Sequence, residues 1–106
     1  MKNLTAVICQ GGKTTPIIQI IDDSYLVAGL AFEKLVREKA GYYDLYVNAE
    51  GTEEYEAAVI CTIGIDSPCT SVKAGWLNDH VFRFITLKGA QPRDLDGSMS
   101  IMLQAK

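Results

Sequence analysis

The chain has one histidine, three cysteines and no cluster of lysine or arginine among its 106 residues. A zinc site needs Cys/His ligands in paired spacing, which Cys9, Cys61 and Cys69 do not show, so we expect no metal and no cofactor. Nucleic-acid-binding proteins neutralise phosphates with clustered basic residues, so we expect no nucleic acid as a partner. No apolar run approaches the ~18 residues of a membrane span, so we expect no membrane association.

Basic residues are also missing from one long stretch. Ten Lys and Arg against thirteen Asp and Glu leave a net charge of −3, and residues 40–72 contain no Lys or Arg. The same stretch carries six carboxylates: Asp44, Glu50, Glu53, Glu54, Glu56 and Asp66. We interpret it as a solvated hairpin that keeps the protein in solution. The alternative is an acidic surface that docks on a basic partner.

The cysteines and the N-terminal segment predict the compartment. An odd number of widely spaced cysteines is typical of a reducing environment rather than of a disulfide framework. The apolar run at residues 4–9 is too short for the core of a signal peptide. We therefore expect a cytoplasmic location.

Alternation of apolar and polar residues predicts most of the secondary structure. The length, and an apolar content of 48%, fit a single globular domain over residues 1–106. Strands are expected at residues 4–10, 15–21, 43–48, 55–63, 80–88 and 98–103.

One helix is expected between the second and third of these strands. Asp22 and Asp23 carry short oxygen-bearing side chains that cap a helix, and Gly41 suits the position after its end. Within residues 24–40, Glu33 with Arg37 is an ion pair at helical spacing. The predicted order is therefore β-β-α-β-β-β-β. It describes a two-layer α+β domain in which one main helix packs on a mainly antiparallel sheet of five to six strands.

The first half of that helix is apolar on all sides. Residues 25–32 include no charged side chain, and a helix that is apolar all round is buried all round. Gly29 costs ~1 kcal/mol inside a helix, which predicts the close approach of another backbone. One small sheet cannot cover this segment, so we expect a homodimer or higher oligomer. Its interface would use Tyr25, Leu26, Gly29 and Leu30.

The longest expected loop, residues 64–79, contains Trp76, the only tryptophan. Long loops in compact domains are often functional, and tryptophan is enriched at binding hot spots. We therefore expect this loop to bind a protein partner or a small ligand. Further lining residues would be Tyr42, Tyr46, Arg83 and Arg93. The alternative is a loop that folds back over the sheet edge and buries Trp76.

Cys69 and His80 are the remaining candidate site residues. A loop thiol near an imidazole could act as a nucleophile, but no group that would stabilise an oxyanion or orient the imidazole stands out. An ordinary loop cysteine and a surface histidine at a strand start explain the two residues more simply.

Three functional hypotheses follow. The first is a non-enzymatic binding or regulatory module that acts as a homo-oligomer through the 64–79 loop, so we expect no catalysis. The second is an enzyme acting on acyl thioesters, since the element order resembles the hot-dog layout of a sheet wrapped around a buried helix. Its base would be Asp22, Asp23 or His80. The third is a structural subunit of a phage or a shell.

Overall fold

The structure, a computed structural model, describes residues 2–10, 12–47, 60–64, 67–78 and 80–104. Ten strands lie in these residues: β1 (Asn3–Gln10), β2 (Lys13–Ile21), β3 (Ser24–Ala28), β4 (Phe32–Lys39), β5 (Tyr42–Val47), β6 (Ile60–Ile63), β7 (Ser71–Asn78), β8 (Val81–Lys88), β9 (Gln91–Pro92) and β10 (Ser98–Gln104). Over the same residues there is no helix, and so none that could cross a membrane.

The strands form two sheets that share one hydrophobic core. Sheet A has the order β3-β2-β1-β10-β6, and sheet B has the order β4-β5-β8-β7 with β9 paired to β8. The first and last strands, β1 and β10, pair in parallel, whereas the other pairs are antiparallel. Both sheets contribute to the core, through Leu4, Ile18 and Ile101 from sheet A and Leu45, Phe82 and Phe84 from sheet B. The architecture is a β-sandwich.

The predicted α+β class is wrong, because the segment expected to be a helix consists of two strands, β3 and β4. Asp22 and Asp23 do not cap a helix. They have positive φ values of 48° and 63° and form a two-residue turn, since Ile21 pairs directly with Ser24. Two successive residues with positive φ are typical of the tight turns that join antiparallel strands. The chain therefore folds back beside β2. The helix-containing layout on which the acyl-thioester hypothesis rested is not found in the described residues.

Gly29 lies where the chain leaves sheet A for sheet B. Its N–H donates to the carbonyl oxygen of Ile17 at 2.8 Å, and its own carbonyl accepts from the N–H of Phe32 at 3.0 Å. A Cβ at Gly29 would overlap the carbonyl oxygen of Pro16. The expected close approach of another backbone is therefore present, but the neighbour is β2 and the chain at Gly29 is not helical.

Within the protomer most of the apolar segment 25–32 is exposed, although Ala31 and Phe32 are partly buried against the core. All five residues of β3 are exposed, and Leu30, in the turn that follows, is 99% exposed. Since β3 is the outermost strand of sheet A, only β2 covers one of its sides. The apolar excess lies on the surface of the protomer.

The strands predicted by alternation are confirmed at β1, β2, β5, β8 and β10. The strand expected at 55–63 is seen as β6 over its last four residues, and its earlier part lies outside the described residues. The expected 64–79 loop is wrong over half its length, because β7 occupies residues 71–78 and pairs with β8. Hydrogen bonding to β8 and the packing of Val72 and Trp76 against the core account for this strand.

Candidate binding surface on sheet B

The side of sheet B that faces away from sheet A carries an ion pair and three cation–aromatic contacts. Successive residues of a strand point to opposite faces. In β5, Tyr43, Leu45 and Val47 enter the core, so Tyr42, Asp44 and Tyr46 point outward. Opposite them in register, Arg83 and Ile85 of β8 share that outer side. We call this surface the B face; its further members are Lys34, Glu38 and Lys39 of β4 and Lys73 and Gly75 of β7.

An ion pair occupies the centre of the B face. Asp44 and Arg83 are register partners, and Arg83 donates from Nε to Oδ1 at 2.7 Å and from Nη2 to Oδ2 at 2.9 Å. The Asp44 side chain is only 4% exposed, against 32% for Arg83. Hydrogen bonding to Asp44 raises the pKa of Arg83 above its usual value. This two-point geometry holds the guanidinium plane in one orientation at the surface.

Two lysines from β4 lie over the tyrosines that flank this ion pair. The Nζ of Lys34 is 4.4 Å from the ring centre of Tyr46, and that of Lys39 is 4.3 Å from the ring centre of Tyr42. Ammonium groups at such distances are attracted to the ring face. The Arg83 guanidinium carbon also lies 5.8 Å from the Tyr42 ring centre. The rings therefore place positive charge at defined points on the B face.

A shallow hollow of about 200 Å³ adjoins the ion pair on the β7 side. Gly75 is the register partner of Arg83, and a Cβ at Gly75 would meet no atom within 4 Å. The missing side chain thus leaves the floor of the hollow open. Its walls include Lys73, Leu77 and Ile85. The hollow combines an apolar floor and walls with cations at its rim.

Three of the residues proposed from sequence meet on the B face: Tyr42, Tyr46 and Arg83. Trp76 does not point outward. Its ring packs edge-on against Phe82 with 5.4 Å between ring centres, and it is only partly exposed. The alternative of a folded-back loop that buries Trp76 is also not met, because Trp76 lies in a strand, stays partly exposed and contributes to the lining of the hollow.

Cys69 and His80 do not come together. Cys69 is buried, and its Sγ lies 3.7 Å from the carbonyl oxygen of Asp94. His80 is exposed, in the turn after β7. The eight residues of β7 separate the two, a length of roughly 26 Å at the rise of an extended strand. A Cys–His dyad is excluded by this separation. Arg93 also lies apart from the B face residues, in the segment after β9, where its Nη2 is 3.9 Å from Asp96.

Sequence reasoning missed Asp44, Lys34, Lys39 and Gly75. The pattern Tyr-Tyr-Asp-Leu-Tyr-Val at 42–47 contained a signal for Asp44, because strand alternation places it between two outward tyrosines. The two lysines had no such signal, since residues 24–40 were assigned to a helix. The role of Gly75 depends on its register with Arg83, which lies on another strand.

A second polar cluster lies at the edge of sheet B, around Asp94. Its Oδ1 accepts hydrogen bonds from Arg37 Nε at 2.9 Å, Gly41 N at 2.8 Å and the Tyr43 hydroxyl at 3.3 Å. These bonds, led by that of Arg37, lower the pKa of Asp94. Burial raises the pKa of Tyr43 to about 12, and its oxygen accepts from the N–H of Leu95 at 3.0 Å. These hydrogen bonds connect the segment after β9 to the β4–β5 hairpin, so the cluster stabilises the fold.

The described part of the chain contains no group of three or more His, Cys, Asp or Glu side chains placed to hold a metal ion. Comparison with known proteins finds no match: no family model fits the chain, and no curated protein or solved structure is significantly similar to it. Function is therefore inferred from the surfaces themselves.

Proposed function

We propose that this protein is a non-enzymatic binding module whose B face holds an acidic segment of a partner protein. One observation carries the proposal: lysines lie over the tyrosine rings of the B face, next to the ion pair of Arg83 with Asp44. The B face has four cationic side chains, Lys34, Lys39, Lys73 and Arg83, against two carboxylates, Asp44 and Glu38. This surplus of positive charge occurs in a chain whose net charge is −3. Charge complementarity therefore favours an acidic partner.

The size of the hollow favours a protein over a small molecule. Small-molecule sites usually enclose about 300–1,000 Å³. The hollow beside Gly75 is smaller, at about 200 Å³, and opens broadly to solvent. It suits a single apolar side chain of a partner, anchored between Leu77 and Ile85. Acidic residues on either side of that anchor would then meet Lys73 and Arg83.

We also propose a cytoplasmic location. Cys9 and Cys69 carry free thiols, which fits a reducing compartment.

The test uses short synthetic peptides and backbone amide NMR spectra of the whole protein. The probe is a pentapeptide with a central phenylalanine flanked by two glutamates on each side. Its counterparts carry glycine at the centre, or lysines as flanks. We expect the first peptide to shift the amide signals of Lys73, Gly75 and Ile85, and the other two to shift them little. Binding should weaken as salt is added, since the attraction is between exposed charges.

The matched variants are Lys73→Glu on the B face and Lys13→Glu on β2. Both replace an exposed lysine within a strand. We expect Lys73→Glu to remove the shifts and Lys13→Glu to leave them. Equal shifts from the lysine-flanked peptide would refute the charge argument. Shifts centred on another surface, or no shifts at millimolar peptide, would refute the assignment of the B face.

A further inference from the structure

The edge strand β3 is exposed along its whole length. Its five residues are all exposed, and β2 is its only hydrogen-bonded neighbour in the described part of the sheet. The outer side of an edge strand presents backbone N–H and C=O groups that another strand can pair with. A partner for this side must therefore itself supply an extended strand.

The exposed large hydrophobic residues of the protein are concentrated at this edge. Among the described residues there are seven, and five of them fall within ten positions: Ile21, Tyr25, Leu26, Val27 and Leu30. The other two are Leu77 and Met102, on other strands. Apolar patches of this kind mark interaction surfaces in soluble proteins.

The β3 edge lacks the charges that usually protect an edge strand. The sequence from Ser24 to Phe32 contains no charged residue and no proline. One of the two edge strands of sheet B, β4, differs, since five of its eight residues are charged. Lysine and other charges on edge strands oppose pairing with further chains. β3 therefore lacks the charges that oppose further pairing, whereas β4 has them.

A bulge within β3 adds to the exposed surface. Gln19 pairs with Val27 and Ile20 pairs with Tyr25, so Leu26 has no register partner in β2. Its side chain is 62% exposed. Leu26 therefore adds little to packing within the protomer and is available to a neighbour.

We propose that a second copy of this chain covers the edge, with β3 pairing antiparallel to β3 about a two-fold axis near Leu26. Each sheet A then continues into its partner's sheet A. The bulge sets Tyr25 on the face of Ile20 and Val27 on the face of Gln19, so the pairing adds apolar side chains to both faces of the joined sheet. A two-fold interface brings the same segment of both copies together, and the uncharged segment 24–28 can pair with itself without placing like charges in contact.

Charge placement distinguishes this arrangement from a parallel one. In the antiparallel pairing, Asp22 and Asp23 of one copy lie beside Gly29 and Leu30 of the other, which are uncharged. A parallel pairing would bring four carboxylates together and would be opposed by their repulsion. The antiparallel arrangement is therefore the one that the sequence around β3 permits.

The size of the interface predicts a reversible dimer. Five partly exposed apolar side chains and the strand backbone supply roughly 300–400 Å² per copy, using the areas that correspond to side-chain transfer energies. The total of about 600–800 Å² is below the ~1,200 Å² of stable interfaces. We therefore expect a weak dimer that dissociates on dilution.

The experiment is sedimentation velocity on the whole protein from 1 to 500 µM. We expect the mass of the unmodified chain to rise from 11.6 kDa towards twice that value with concentration. Leu26→Lys and Leu30→Lys should each weaken dimerisation at least tenfold. Leu77→Lys and Met102→Lys, at exposed residues outside the patch, are the matched controls and should change it less than twofold.

The variants also separate loss of the interface from loss of folding. Leu30 is 99% exposed, so its replacement removes no packing within the protomer. Circular dichroism melts should show this variant to be as stable as the unmodified chain when both are monomeric. A chain that stays monomeric at 500 µM would refute the proposal, as would controls that dissociate as strongly as Leu26→Lys.

The orientation has its own test. Asparagine tolerates positive φ, so Asp22→Asn with Asp23→Asn preserves the turn while removing both carboxylates. In the antiparallel dimer this change should alter the dissociation constant less than twofold. A dimer that tightens tenfold or more would show a parallel arrangement and refute the pairing. Since the interface excludes the B face, neither result bears on peptide binding there.

Discussion

Substitution of alanine for Gly41 should destabilise the protein more than the same substitution at Gly12 or Gly89. Those two glycines also have positive φ, but their Cβ positions have no atom within 4 Å. Gly41 has a φ of +79°, where a residue with a Cβ is strained. A Cβ there would also lie 2.6 Å from the backbone nitrogen of Arg93 and 2.9 Å from the carbonyl oxygen of Thr86. Neither atom can rotate away, because both belong to the backbone of sheet B and its adjoining segment.

The two costs can be worked out separately. The left-handed conformation costs an L-residue about 1–2 kcal/mol. Displacing packed atoms costs a further 1–3 kcal/mol, roughly. Alanine restricts the unfolded chain and returns about 0.4–1 kcal/mol. The expected loss for Gly41→Ala is therefore about 1–4.5 kcal/mol, against the ~5–15 kcal/mol that holds a typical domain folded.

Two other glycines provide matched controls. Gly89 has a φ of +62° but no atom within 4 Å of its Cβ position, so Gly89→Ala should lose only about 0.5–1.5 kcal/mol. Gly75 has an unstrained backbone and equally open space, so Gly75→Ala should be neutral or stabilising by up to about 0.5 kcal/mol.

The assay is urea unfolding, monitored by the fluorescence of Trp76. The slope of the unfolding free energy against urea concentration should be the same for all variants. The expected order of destabilisation is Gly41→Ala, then Gly89→Ala, then Gly75→Ala. If Gly41→Ala lowered the free energy of unfolding no more than Gly89→Ala does, the close approach to Arg93 and Thr86 would contribute nothing to stability. The close packing of the β4–β5 turn described above would then be incorrect.

Three further outcomes follow from buried and hydrogen-bonded groups. Burial raises the pKa of Tyr43 to about 12, so its contribution is present below pH ~10 and is lost as the pH rises towards 12. Tyr43→Phe should flatten the alkaline fall in melting temperature over that range. Because the pKa of Asp94 is lowered, its contribution is lost as the pH falls below ~4, and Asp94→Asn should flatten the acid fall. Arg83→Met should lower the melting temperature, since it leaves the Asp44 carboxylate buried without its counter-charge, and adding Asp44→Asn should restore part of the loss.

Alternation along the sequence was sufficient to predict the strands at the centre of the sandwich. In β5 and β8, alternation survives because one side of each strand faces the core and the other faces solvent. The sequence analysis proposed Tyr46 and Arg83 as lining residues of one site, and the pairing of β5 with β8 brings them to the same side of sheet B. Strand periodicity is a property of consecutive residues, so it can be recognised without knowing which strands are neighbours.

Residues 24–40 show where local patterns fail. The apolar run 25–32 has no alternation, and charges such as Glu33 and Arg37, four residues apart, lie on one side of either a helix or a strand. The positive φ values of Asp22 and Asp23 turn the chain back along β2, and only that neighbour makes the extended conformation favourable. Lys34 and Lys39 could not be assigned to the B face until β4 was known to pair with β5.

The sequence by itself determined the length of the chain, an apolar excess near Gly29, most of the half-buried strands, and cysteines without the paired spacing of a zinc site. Those properties depend on composition and on neighbours along the chain. Tertiary structure alone decided that the apolar excess forms an exposed sheet edge, that Trp76 packs inward, and that lysines from β4 lie over tyrosines from β5. The physical reason is that strand pairing joins residues distant in sequence, and hydrogen bonds between strands outweigh the local preference of any one segment.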